Sequence, residues 1–443
     1  MTARLDETHD PTARSWIESA NDPATDFPIQ NLPFGVVAYD GVDEPRVGVR
    51  IGDRVLDLRR AFDAGALDAT PHRDVLARAS EMHFLNFLML QGRAPVRALR
   101  RDLARLFRDD ADAATRRAVS SLLVPAAEVA MLPPVKVGDY TDFYASIHHA
   151  TNVGSMFRPD NPLLPNYKWI PIGYHGRASS IVPSGTEIRR PRGQTRDDAE
   201  SAPRMGPSRR LDYELEVGAF VAGWSDLGET IPIAAAEERL FGICLVNDWS
   251  ARDLQTWEYQ PLGPFLSKSF ATTVSPWVVT LDALEPFRVP RYLRPAGNPE
   301  PLPHLDDVHD RERGGMALTL EVLLSSAQMR ERGVPAHRVS LGSFRSMYWT
   351  FAQMLTHHAS NGCNLQPGDL LASGTVSGPE KESRGCLLER TWRGTEPLEL
   401  PTGEVRRFLE DGDEVVMRGW CEREGFRRIG LGECRGTVRP AAT

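Results

Sequence analysis

The run Leu211 to Phe220, L-D-Y-E-L-E-V-G-A-F, alternates as a strand does and carries Glu214 and Glu216 one pleat apart, on the same face. Its neighbours Tyr213, Leu215, Val217, Ala219 and Phe220 make a freely solvated strand a poor fit. Two like charges on a covered strand repel, so whatever fold forms must bring positive charge to that face. Two further acids sit in similar frames. Asp142 lies in D-Y-T-D-F-Y, and Asp248 in L-V-N-D-W-S-A-R-D follows the apolar stretch Phe241 to Val246, where a buried strand would end. A hard divalent cation taking oxygen ligands, calcium or magnesium, would settle all four. The plainer reading of an E-x-E pair is surface charge, and the apolar frames argue against it.

At 443 residues and 41% hydrophobic content the chain exceeds what one core usually supports, which predicts two domains. A formal charge of −8 argues against nucleic acid or an anionic membrane as the main partner. The arginine runs at Arg97 to Arg105 and Arg189 to Arg210 are broken by acids or apolar residues and read as solvated faces or a loop. Cys244, Cys363, Cys386, Cys421 and Cys434 are odd in number, widely spaced and contain no C-x-x-C. They suit reduced thiols in a reducing, cytoplasmic setting, with no zinc site and no disulfide frame. The first thirty residues carry Asp6, Glu7, Asp10, Glu18, Asp22 and Asp26 and no apolar stretch, which predicts a flexible acidic lead-in over residues 1–26 rather than a signal peptide or anchor. No run approaches the length of a transmembrane helix.

Val47, Val49 and Ile51 alternate up to Gly52-Asp53, and Val55 to Leu58 continue beyond, a hairpin signal. From Pro95 onward Val96, Leu99, Leu103, Leu106 and Phe107 recur at helical spacing with arginines on the other face. The segment Val124 to Val137, with Pro125 and Pro133-Pro134, breaks both patterns, so the domain boundary falls there: residues 27–133, then 134–443. The second part reads as short strands between turns, at Met316 to Leu324, Asp369 to Ala372 and Asp413 to Arg418. One helix intervenes, with Met347, Phe351, Met354, Leu355 and His358 on one face and Asn361-Gly362 as its stop. Glu285 to Pro303 is a long connection without periodicity, and the chain contains no repeat, GxGxxG, Walker loop, HExxH or G-x-S-x-G.

In D-Y-T-D-F-Y-A-S-I-H-H-A-T-N-V-G-S-M-F-R (Asp139 to Arg158) the chain resembles the fumarylacetoacetate hydrolase family. The resemblance continues through G-Y-H-G-R-A-S-S (Gly173 to Ser180), L-D-Y-E-L-E (Leu211 to Glu216), N-D-W-S-A-R-D (Asn247 to Asp253), W-E-Y-Q-P-L-G-P-F-L-S-K-S-F (Trp257 to Phe270) and H-H-A-S-N-G-C-N-L-Q-P-G-D-L-L-A-S-G-T (His357 to Thr375). F-P-I-Q-N-L-P-F-G-V (Phe27 to Val36) is similar to that family's start, and His148 stands where the family has a glutamine. The resemblance implies a mainly β fold with some α, an SH3-like barrel domain followed by a larger β-roll catalytic domain, assembled as a homodimer. It implies hydrolysis of the carbon–carbon bond of 4-fumarylacetoacetate to fumarate and acetoacetate, the last step of tyrosine and phenylalanine breakdown. By motif, calcium would be held by Asp142, Glu214, Glu216 and Asp248, with magnesium near Asp248, Lys268 and Thr272. His149 would be the base that activates water, oriented by Glu389 in C-L-L-E-R-T-W. Arg252, Gln255 and Lys268 would stabilise charge on the leaving carbanion, and Tyr144, Arg158, Tyr174, Gln255, Tyr259 and Thr375 would hold the substrate.

The chemistry wants such a set on its own account. Hydrolysing a β-diketone adds hydroxide to one carbonyl and expels an enolate, so charge builds first on a tetrahedral oxygen and then on carbon. A histidine can take a proton from water at cellular pH, and a carboxylate behind it fixes its tautomer. Without its motif, His149 stands no higher than His148, His175, His357 or His358. Arg252 and Lys268 could be plain ion-pair partners of Asp248 or Asp253, and only the apolar flank of Leu387, Leu388 and Trp392 suggests that Glu389 is buried. Two rivals stay open. An acylpyruvate hydrolase or oxo-acid decarboxylase would keep the acidic ligands, and a calcium-stabilised binding module would have no turnover.

Overall fold

Strands Arg46–Ile51 and Arg54–Asp57 pair antiparallel with Val49 opposite Leu56. Gly52 turns between them at a φ of 49°, and a side chain there would strike Ser19 and Ala20. In this computed structural model, which describes residues 5–197 and 199–443, the hairpin belongs to an antiparallel five-stranded sheet. Its order is Leu123–Pro125, Arg54–Asp57, Arg46–Ile51, Phe34–Ala38, Ala130–Leu132. The helix Arg93–Phe107 lays Val96, Leu99, Leu103 and Phe107 into the same core. Arg100 departs from the solvated face expected for its run: it is fully buried, and its guanidinium donates to the carbonyls of Gln30 and Asn31. Arginine can go inside here because backbone acceptors replace its water.

The acidic lead-in is also packed where it is described. Ile17 and Ala20 join the core, the His9 ring Nε2 lies 2.7 Å from the Asp282 carbonyl, and the Trp16 indole donates to the Leu106 carbonyl. Its acids meet arginines, Asp6 with Arg101 at 2.8 Å and Glu7 with Arg105 at 3.1 Å. The charges that suggested a solvated tail are one side of a docking surface.

Beyond residue 134 two sheets stack. The larger runs Gly173–Gly176, Tyr140–Phe143, Leu370–Ala372, Leu215–Val221, Leu240–Asp248, Thr272–Val274, Ile181–Pro183, with Val279–Thr280 also on the Leu240–Asp248 strand. The smaller runs His337–Ser343, Leu318–Ser325, Glu414–Cys421, Ile429–Arg439, Glu187–Arg189. The helix expected here spans Phe351–Ala359, so Met347 lies before it: Thr350 caps its start by accepting from Gln353 N–H. It is not alone, since Ile147–Phe157 and Arg252–Glu258 are also helical.

The central strands of the larger sheet are buried on both faces. Val217, Ala219, Ile243 and Leu245 belong to the core shared with the smaller sheet, whereas Phe220, Cys244 and Val246 belong to the core of the amino-terminal unit. That double burial explains a strand as uniformly apolar as L-F-G-I-C-L-V. The register also collects acids. Asp142 lies opposite Ala372 and Ala372 opposite Gly218, two residues from Glu216, which lies opposite Val246, two residues from Asp248. Even spacing puts Asp142, Glu216 and Asp248 on one face.

The strand expected over Leu211 to Phe220 is interrupted. Leu211–Asp212 pairs with Ser250–Ala251, Tyr213 breaks the ladder, and Glu214 makes only a single bridge to Cys386 before Leu215–Val221 enters the sheet. The segment changes partners at Tyr213, so Glu214 leaves the line of Glu216.

Candidate active site

His149 sits in the first turn of the helix Ile147–Phe157, where the Ser146 hydroxyl accepts from the His149 amide at 3.2 Å and itself donates to the Ser377 carbonyl. This cap fixes the helix start and turns the imidazole inward. Its Nδ1 lies 2.6 Å from Glu389 Oε2, on the short helix Leu387–Arg390. Glu389 also accepts from Asn152 at 2.8 Å, Ser377 at 2.8 Å and the Cys386 thiol at 3.2 Å. Burial alone would raise its pKa, but His149 and these hydrogen bonds outweigh it and hold the carboxyl at about 2. With Glu389 ionised, Nδ1 carries the hydrogen and donates, which leaves Nε2 as the basic nitrogen. Nε2 lies 3.8 Å from Glu214 Oε2.

Asp142, Glu216 and Asp248 form a buried triad whose carboxylate oxygens lie within 4.8 Å of one another. Burial pushes Asp142 and Glu216 well above the usual carboxylate range, and their mutual repulsion with Asp248 adds to it. Asp142 Oδ1 and Glu216 Oε1 are buried without a hydrogen-bond partner among the described residues. Two orphaned acceptors in one acidic cluster are what a cation with oxygen ligands fits. Glu216 Oε2 and both Asp248 oxygens are positioned by the protein: Glu216 Oε2 accepts from Gly374 N–H at 3.1 Å, and Asp248 accepts from Thr272 at 3.3 Å, Tyr174 at 2.9 Å and the Lys268 ammonium.

Glu214 stands beside this triad but outside it. Its carboxylate accepts from Lys268, Ser250 and Thr375 and lies 3.0 Å from Arg252 Nη1. Burial would raise its pKa, yet Arg252 and Lys268 hold it well below the usual range. Lys268 in turn stays charged, since Asp248 and Glu214 overcome the penalty of its burial. Arg252 is braced from behind by Asp212 at 2.9 Å, and its Nη1 donates to Gln255 at 3.1 Å.

The remaining sequence candidates are more dispersed. The Tyr144 ring meets His149 edge-on at 5.2 Å. Tyr259 closes the helix Arg252–Glu258 and is 37% exposed. Arg158 is exposed at the far end of the His149 helix and donates to the Pro162 carbonyl. His148 is half-buried against Tyr292, and burial lowers its pKa. Sequence reasoning missed Asp212, Asn152, Ser250, Ser377 and Cys386, all hydrogen-bonded to site residues. Asp212 alone had a signal, being the first acid of L-D-Y-E-L-E. All five cysteines are free, and no helix among the described residues is long and apolar enough to cross a membrane.

Stacked sheets hold a His–Glu pair beside an acidic triad that could hold a metal ion, and the chain belongs to the fumarylacetoacetate hydrolase family. Residues 139–439 match the family described as Fumarylacetoacetate (FAA) hydrolase C-terminal, and residues 30–134 the one described as Fumarylacetoacetase N-terminal. The chain is 49% identical over 438 residues to the fumarylacetoacetase of Bos taurus, covering 96% of this chain and 99% of that one. It is 48% identical over 438 residues to the fumarylacetoacetase of Homo sapiens, with the same coverage. The protein is an enzyme, a hydrolase of the fumarylacetoacetase kind. The fumarylacetoacetate hydrolase from psychrophilic Exiguobacterium antarcticum superposes with a TM-score of 0.50 at 17% identity, over 92% of this chain and 99% of that one, and shares the fold.

Proposed function

We propose that the protein hydrolyses 4-fumarylacetoacetate to fumarate and acetoacetate, closing tyrosine and phenylalanine breakdown in the cytoplasm. The observation that carries this reading is the His149–Glu389 pair at 2.6 Å, with its free nitrogen facing the Lys268- and Arg252-bound Glu214 next to the acidic triad. His149 Nε2 takes a proton from water, and the hydroxide adds to a ketone carbon of the substrate. The carbon–carbon bond then breaks, its electron pair leaving as the enolate of acetoacetate, which is protonated to product. Arg252, Gln255 and Lys268 supply donors to the charge as it develops, and Glu389 stabilises the imidazolium formed meanwhile. Tyr144, Arg158, Tyr174, Gln255, Tyr259 and Thr375 hold the diketo acid.

Asp142, Glu216 and Asp248 would hold calcium, with Glu214 as a fourth ligand and magnesium near Asp248, Lys268 and Thr272, and such a cation polarises ketone oxygens and neutralises charge. The antiparallel five-stranded sheet supports an SH3-like barrel for residues 27–133, followed by a β-roll domain over 134–443; the homodimer is carried over from the family resemblance alone.

The test is direct. Added fumarylacetoacetate should lose its conjugated diketone absorbance, with acylpyruvates poor competitors. Faster turnover of an acylpyruvate would transfer the assignment to that substrate class.

Glu389→Gln separates the orienting role from packing. It keeps the size and an acceptor but deletes the charge, so turnover should fall about tenfold or more. Because the Glu389 pKa is about 2 in the fold against an ordinary 4.5, its pairing stabilises the protein above about pH 4.5 and is lost as pH falls toward 2. The stability difference between wild type and variant should therefore shrink over that window. Wild-type turnover with a pH-independent difference would reduce Glu389 to a packing residue.

A further inference from the structure

We propose that Asp212 is a positioning residue that holds the charge-stabilising arm and the base-orienting arm of the site in one register. The inference rests on the roles given above to Arg252 and Glu389.

Asp212 is fully buried and spends its carboxylate on three donors. Oδ2 accepts from Arg252 Nε at 2.9 Å and from the Leu388 amide at 3.0 Å, and Oδ1 accepts from the Leu387 amide at 2.8 Å. Those amides open the helix Leu387–Arg390, whose preceding residue Cys386 offers no side-chain cap. The first amides of any helix lack partners inside it, so Asp212 caps this one from 175 positions away in the chain. Glu389 is the next residue, and the cap fixes the direction from which its carboxylate meets His149.

The same carboxylate sets the guanidinium. With Nε on Asp212 and Nη1 on Glu214 and Gln255, Arg252 is held in a single orientation, and its Nη2 is buried with no hydrogen-bond partner among the described residues. A fixed fork with one free corner suits a charge that appears only during reaction. The backbone supports the coupling. Asp212 lies opposite Ser250, two residues before Arg252, while Glu214 bridges Cys386 and the Leu215 amide donates to the Gly385 carbonyl. The short segment from Leu211 to Leu215 thus touches the roots of both arms. Both Asp212 oxygens are engaged and the residue is fully buried, so its influence on the reaction passes through the groups it holds.

Asp212→Asn must turn an NH2 toward one of three donors. Per folded site, counted by titration with a nonhydrolysable diketone, kcat should fall about 10- to 100-fold, as for other outer partners of site ligands, with KM changed less than about threefold. Asp212→Glu, which keeps the charge and both acceptors, should recover most of the loss, and Asp212→Ser, which removes the charge and one acceptor, carries the test with the same expected loss should the asparagine variant fail to fold. Placed on Arg252→Lys or on Glu389→Gln, the Asp212 change should cost only part of what it costs in the wild-type background, because one of the two arms it positions is already impaired. Wild-type kcat per site, or the full loss repeated in both backgrounds, would overturn the inference while leaving the site roles intact. Wild-type kcat in Arg252→Lys and Glu389→Gln themselves would instead overturn the site roles, and this inference with them.

Discussion

His149→Ala should turn over at least about a hundredfold more slowly than wild type, the low end of what general-base catalysis supplies. The variant should stay folded, retain its metal content and bind a nonhydrolysable diketone. The imidazole sits in a first turn whose cap uses backbone and Ser146 only, so the helix does not depend on it. What is lost is the acceptor for the proton of water. Glu389 loses one of four hydrogen-bond donors but keeps Asn152, Ser377 and Cys386. His148→Ala, whose ring packs on Tyr292, should retain most activity. Steady-state rates together with a melting curve and diketone binding check this, and a larger loss at His148 than at His149 would mean that the base is misassigned.

Exhaustive chelation should abolish activity and lower the melting temperature, with the thermal effect growing as pH rises above the ordinary carboxylate range. Burial first, and then the neighbouring acids, raise Asp142 and Glu216 well above the ordinary range. A carboxyl with a raised folded pKa holds its proton better in the fold than unfolded, so its site is most stable below about pH 4 and weakens as pH rises through the folded pKa. A bound cation removes that penalty by replacing the protons. At a free ion concentration one hundred times its Kd the gain is about 2.7 kcal/mol. Calcium or magnesium should restore both properties, and Glu216→Gln should reproduce much of the effect of chelation on activity. An unchanged melting curve with full activity in chelator would remove the metal from the triad.

Much of this site could be seen in the chain because burial and charge conflict locally. Asp248 ends an apolar run and does close a buried strand, and the hairpin at Gly52-Asp53 carries its turn residues openly. The separation of Glu214 from Glu216 was hidden, since alternation describes a strand that continues and Tyr213 gives no sign that the ladder changes partners there. Asp212 was visible as the first acid of L-D-Y-E-L-E, but its role was hidden for a related reason: its donors come from residue 252 and residues 387–388, and no local pattern records a contact of that span. Arg100 and the acidic lead-in misled in the same direction. Charge reads as solvation until its partners are in view, and those partners were backbone carbonyls and distant arginines.

Along the strand Leu240–Asp248, neighbouring residues answer to different masters: Ile243 and Leu245 serve one core, Cys244 and Val246 the other. A slip of a single residue would turn both sets the wrong way at once, so the error is punished twice. Asp248 rides on the same alternation, and with it the meeting point of three carboxylates drawn from three strands. The alignment of the chemistry is thereby proof-read by oil and shape, in two separate apolar compartments.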